Sequence, residues 1–144
     1  MTHRAESIVS LIETSLKNIT DLQVYRGKVT PIELEKLPAV VVFSGPEESQ
    51  DSGTLNHYHF SLTVDVDCYA ADSETQNIET ALNLLKEQIS IKLHESVSIH
   101  ESVLEMHEAG SSEPEISDGG ERQIIKQTVV FNYLYRRSRV NPGA

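Results

Sequence analysis

Two histidines and two aspartates stand at alternate positions of one segment, His57-Tyr58-His59-Phe60-Ser61-Leu62-Thr63-Val64-Asp65-Val66-Asp67-Cys68-Tyr69. Imidazole and carboxylate together can ligate a divalent cation such as zinc. Neighbouring carboxylates can also divide acid and base roles when a pocket pushes one of them up. All four residues share one parity, so on an extended chain they lie on one side. The same geometry keeps them apart. His59 and Asp65 are six positions apart, ~20 Å at ~3.3 Å per residue. A single strand cannot bring them to one ion, and a second strand would have to complete the site. The segment therefore reads as a strand with a polar face. A small metal-binding module built on His57, His59 and a carboxylate is the alternative.

Other chemistry-bearing residues point to no reaction. His94, His100 and His107 fall in an acidic stretch with Glu101, Glu105 and Glu108, but no H-E-x-x-H pattern orders them. The single cysteine, Cys68, lies on the apolar side of the alternating segment. It has no second cysteine to pair with and reads as a small buried hydrophobe. Dinucleotide, phosphate-loop and nucleophile-elbow patterns are all missing, and Asp118-Gly119-Gly120 is a turn signal. No catalytic residue, cofactor or metal ligand is assigned, and the chain reads as a non-enzyme.

The elements that would position these residues follow from periodicity. Ala5, Ile8, Val9, Ile12 and Leu16 fall at helical spacing behind Thr2 as a cap. A short strand at Leu22–Tyr25 follows, then one or two helical turns between Pro31 and Pro38. Ala39-Val40-Val41-Val42-Phe43-Ser44 is apolar on both faces and reads as an interior strand. Gly45 to Leu55 reads as a polar loop leading to the alternating strand. Asp72 or Ser73 caps a second helix with the stripe Ile78, Ala81, Leu82, Leu85, Ile89, Leu93. From His94 to Gly110 no period is clean, and a loop followed by a short strand at Val103–Glu108 is expected. Ser111 to Gly120 reads as a second polar loop. Arg122 to Tyr135 is a second long strand. Ile125, Val129, Phe131, Tyr133 and Tyr135 share one face with Gln127, and the other face is mixed. The expected fold is α+β, a mostly antiparallel mixed sheet with two main helices on one face.

Composition narrows the partners. The chain has 144 residues, 38% of them hydrophobic, and no tryptophan. That predicts one domain over residues 1–137 with a polar end at 138–144. The formal charge of −10 argues against a nucleic-acid binder that gains affinity by neutralising phosphates. Arg136-Arg137-Ser138-Arg139 is the one basic cluster. No apolar run reaches the ~18 residues of a membrane span. Glu6 and Glu13 interrupt the first helix, which is amphipathic rather than leader-like. The chain is expected in a cytoplasm.

The layout resembles a family. The sequence Leu37-Pro38-Ala39-Val40-Val41-Val42-Phe43 opens the first long strand between an N-terminal amphipathic helix and a polar loop. The alternating strand, a capped helix, a Gly-rich loop and an aromatic final strand follow. This order, over roughly residues 2 to 136, is similar to that of the tail terminator, or minor tail, proteins of long-tailed bacteriophages. The lambda-type members are comparable in length, acidic balance and strand opening. The resemblance implies a structural virion protein, assembled in the host bacterial cytoplasm and resident in the tail. Such proteins form a ring, typically a hexamer, on the head-proximal end of the tail tube. The ring stops tube polymerisation and offers a joining surface to the head–tail connector. DNA passes through the lumen without sequence-specific binding, which suits an acidic wall. On this reading His57, His59, Asp65, Asp67, Tyr133, Tyr135, Arg136 and Arg137 are candidate contacts to neighbouring subunits or the tube. The histidines and the arginine-rich end depart from the lambda-type pattern, so a neighbouring neck or head-completion role is a further alternative.

Overall fold

The alternating segment forms a continuous strand, His57–Ala71, at the centre of a six-stranded sheet. The computed structural model describes residues 4–27, 32, 36–50, 57–72, 77–118 and 123–138. In chain order the elements are α1 (Arg4–Leu16), β1 (Gln23–Arg26), β2 (Ala39–Gln50), β3 (His57–Ala71), α2 (Ile78–Glu95), α3 (Val97–Ser102), β4 (Glu105–Ser111), β5 (Glu115–Asp118) and β6 (Gln123–Ser138). The sheet order is β1-β2-β3-β6-β4, with β5 also paired to β6. Among the described strands only β1–β2 is parallel; β2–β3, β3–β6, β4–β6 and β5–β6 are antiparallel. The fold is α+β with a mostly antiparallel mixed sheet.

Apolar stripes place the helices. Ile8, Val9, Ile12 and Leu16 of α1 and Leu82, Leu85, Ile89 and Leu93 of α2 are buried against Leu62, Val64, Val66 and Cys68 of β3 and Val129 and Phe131 of β6. This is the one apolar core among the described residues, and it lies on one side of the sheet. Glu6 of α1 holds Arg26 of β1 through two contacts of 2.6 and 2.5 Å. That pair ties the first helix to the sheet edge. The guanidinium lowers the Glu6 carboxyl below its usual range, and Glu6 in turn raises Arg26.

Several boundaries differ from expectation. β2 runs on through Gly45-Pro46-Glu47-Glu48-Ser49-Gln50, where a loop was expected. A bulge between Ser44 and Glu47 absorbs the Gly-Pro pair, and pairing resumes with Glu47 opposite Leu62. Proline has no N–H for a ladder, so it sits where pairing is interrupted. At Gly45 a Cβ would come within 2.8 Å of the Thr63 carbonyl oxygen, so the bulge needs glycine. The α2 cap is Asn77, whose side chain accepts from the Thr80 N–H at 2.8 Å, in place of Asp72 or Ser73.

Within the expected loop after His94, Ser96 caps the short helix α3, accepting from the Ile99 N–H at 3.3 Å. Ile99 is buried while Val97 is exposed, so this helix carries no stripe that periodicity could find. The expected loop Ser111–Gly120 contains β5, paired in register with Gln123–Lys126. Ser138, assigned to a polar end, pairs with His57 as the last residue of β6. The turns expected between Pro31 and Pro38, the Thr2 cap, residues 51–55 of the expected polar loop and the end beyond Ser138 lie wholly or mostly outside the described residues.

Candidate functional site

In an antiparallel pair, residues directly opposite share a face. Register therefore builds the helix-free face row by row. Ala39, Tyr69, Lys126 and Glu115 form one row, and Val41, Asp67 and Thr128 the next. Phe43, Asp65 and Val130 follow, then Thr63, Asn132 and His107, then Glu48, Ser61, Leu134 and Glu105, then His59 and Arg136.

The two aspartates of this face live in different surroundings. Asp67 is 9% exposed. It accepts a hydrogen bond from Thr128 Oγ1 at 2.5 Å and lies 3.8 Å from Lys126 Nζ. The ammonium also sits 5.8 Å from the centre of the Tyr69 ring. Burial pulls Lys126 down, but Asp67, Tyr69 and Glu115 outweigh it and leave the ammonium raised. Burial likewise raises the Tyr69 phenol. Asp65 is half-buried between Phe43 and Val130, and no hydrogen bond or ion pair reaches it among the described residues. Burial, and then the charge of Asp67, push its carboxyl above the usual range. Further along, Thr63 Oγ1 donates to Asn132 Oδ1 at 3.1 Å, and Asn132 Nδ2 lies 3.4 Å from His107 Nε2.

The other candidate residues separate into groups. His59 is half-buried in the row with Arg136, which is exposed. His57 and Arg137 are paired along the backbone with Ser138 and Tyr58. Tyr133 and Tyr135 are corrected: both are fully buried and face the helices, so they are core side chains and not contacts. Their parity puts them with Phe131, on the opposite side from Arg136. Tyr135 stacks on Phe60 with ring centres 6.0 Å apart, and its hydroxyl donates to the Glu47 carboxylate. The Tyr133 hydroxyl is buried with no partner among the described residues, and burial raises it. Gln127, the polar break in the apolar face, is buried and satisfied. It accepts from Lys86 Nζ at 2.8 Å and donates to the Ser112 carbonyl at 2.7 Å.

Among the described residues nothing converges on a reacting centre. Among the described residues no three of His, Cys, Asp and Glu cluster closely enough to hold a metal ion. His94 Nδ1 lies 2.7 Å from the Ser90 carbonyl, and His100 Nε2 lies 2.6 Å from the His94 carbonyl, so both make local backbone contacts. Cys68 is buried, and burial pushes its thiol up to about 12. A groove of about 270 Å³ between the helices is lined by Leu11, Ser15, Lys92, Glu95, Ser96 and Ser98 among others. No helix among the described residues is long and apolar enough to cross a membrane. Phe43, Lys126, Thr128 and Val130 were missed as members of the face. The mixed face of Arg122–Tyr135 was visible, but the register that joins it to Asp65, Asp67 and Phe43 was not. Compared with known proteins, the chain matches no family model and no curated protein.

Proposed function

We propose that the chain is a non-enzymatic structural protein of a bacteriophage tail, a ring-forming cap on the head-proximal end of the tail tube. The ring stops tube growth and presents the surface on which the head is joined. The observation that carries this reading is the helix-free sheet face. Among the described residues its polar and apolar side chains, buried at Ala39, Val41 and Asp67 and exposed at Arg136, lie in rows across several strands. Such a face suits docking against a protein surface better than holding a small substrate. The element order and the Leu37–Phe43 strand opening support the family assignment. The formal charge of −10 supports a lumen through which DNA slides without being held. Neighbours in the ring meet through two different patches, as ring closure requires, and tube and connector take its two ends.

The test is tube assembly from purified tail-tube protein with and without this chain, followed by negative-stain microscopy. The expected result is a ring on one end of each tube and an arrest of elongation. Tubes that grow unchanged and carry no added density at either end overturn the reading. Density on the connector alone moves the chain to a neck role.

A further inference from the structure

We propose that the helix-free sheet face pairs with the same face of a second copy, about a twofold axis that sets Asp65 of each copy against Arg136 of the other. The proposal stands on this face alone, and a tail tube or ring neighbour that takes the face excludes it. Asp65 has an apolar frame, Phe43 and Val130, and no cation reaches it among the described residues. Its charged neighbour, Asp67, repels it and is itself engaged by Thr128 and Lys126. A half-buried carboxylate held this way is stabilised by a cation brought from outside. Arg136 is exposed on the same face, with no anionic partner among the described residues.

Within one chain these two charges cannot meet. Asp65 is opposite Val130, six positions from Arg136 along β6, or ~20 Å. Turning a second copy by a half-turn, about an axis across the strands at the level of Leu62 and Tyr133, reverses that interval. Asp65 of each copy then falls over the His59–Arg136 row of the other, so one contact is made twice, as an isologous interface requires. The same operation sets Glu105 of one copy against His107 of the other, both exposed on β4. Uncharged Ser61, Thr63, Asn132 and Leu134 fill the centre, with Glu48 at its β2 edge. Four strands ~4.8 Å apart over about eight residues give ~500 Å² per copy, or ~1,000 Å² in all, near the lower limit of specific interfaces. The dimer is therefore weak and salt-sensitive.

Sedimentation velocity of the full chain tests this with Asp65→Lys and Arg136→Glu. Wild type is expected to dimerise, and each substitution alone to weaken the dimer at least about tenfold, because both copies then present like charges. An equal mixture of the two variants restores a dimer, since each supplies the charge the other lacks. Raising salt from ~0.05 to ~0.5 M weakens the wild-type dimer in the same sense. A wild-type chain that stays monomeric at ~0.5 mM overturns the proposal, and binding of this face to tail tubes instead assigns it to the tube. Self-association unchanged in both variants, or a mixture that fails to recover, also overturns it.

Discussion

Thr128 Oγ1 donates to Asp67 Oδ1 at 2.5 Å across the β3–β6 pair, so one of the two aspartates on the open face is held by its neighbours, while no hydrogen bond or ion pair reaches the other among the described residues. Replacing Thr128 with valine keeps the shape and removes the donor. The remaining contact is Lys126 at 3.8 Å, a half-exposed ion pair of little strength. Thr128→Val is expected to lower unfolding free energy by ~1–2 kcal/mol, the range for a hydrogen bond to a charged group discounted for partial exposure. Urea denaturation measures it, and an unchanged midpoint contradicts the contact.

Asp65 responds to pH with the opposite sign to a salt-bridged carboxylate. Burial and Asp67 raise it above its ordinary 3.8, so its ionised form is disfavoured in the folded state. That cost is fully present above the raised value and fades as pH falls through it toward 3.8. Asp65→Asn should therefore stabilise the monomer at neutral pH, by under ~1 kcal/mol given its partial exposure. The gain should vanish in acid. Thermal melts of both proteins across pH, at concentrations too low for self-association, check this. The same substitution removes the anion from the proposed dimer, so stability and self-association should move in opposite directions.

Cys68 is expected to be inert in the native protein. It is buried on the helix face, and its thiol is pushed up to about 12. Thiolate is the reactive form, so Ellman's reagent at pH 8 should label it only after unfolding. Rapid labelling of the folded chain contradicts its burial.

Tyr133 carries a buried hydroxyl with no partner among the described residues, whereas Tyr135, two residues on, donates to Glu47. An unsatisfied buried hydroxyl costs about 1–3 kcal/mol. Tyr133→Phe should therefore leave stability unchanged or raise it by ~1 kcal/mol, while Tyr135→Phe should lower it by a comparable amount. Parallel guanidinium titrations of the two variants separate these outcomes.

Period alone was enough to read the two faces of β3, the two faces of β6 with Gln127 on the apolar side, and the stripes of α1 and α2. Each is a property of consecutive residues, because side-chain direction repeats every two positions in a strand and every 3.6 in a helix. Gly45-Pro46 misled for the same reason: both are local breakers, and only pairing with β3 turns them into a bulge within a strand. The helix α3, with one buried residue, and β5, whose Ile116 is exposed, carry too little pattern to be seen alone.

The face itself was decided by the tertiary structure. Asp67 belongs with Thr128 and Lys126, and Asp65 with Phe43 and Val130, only because β3 takes its place between β2 and β6 in one register. Those strands are separated in the chain by α2, α3, β4 and β5, and a slip of one residue would exchange the two faces. The sequence by itself determined which residues could face outward together along each strand. The packing of both helices against Leu62, Val64, Val66 and Phe131 fixed the register, and with it which charges find partners and which are left for a neighbour.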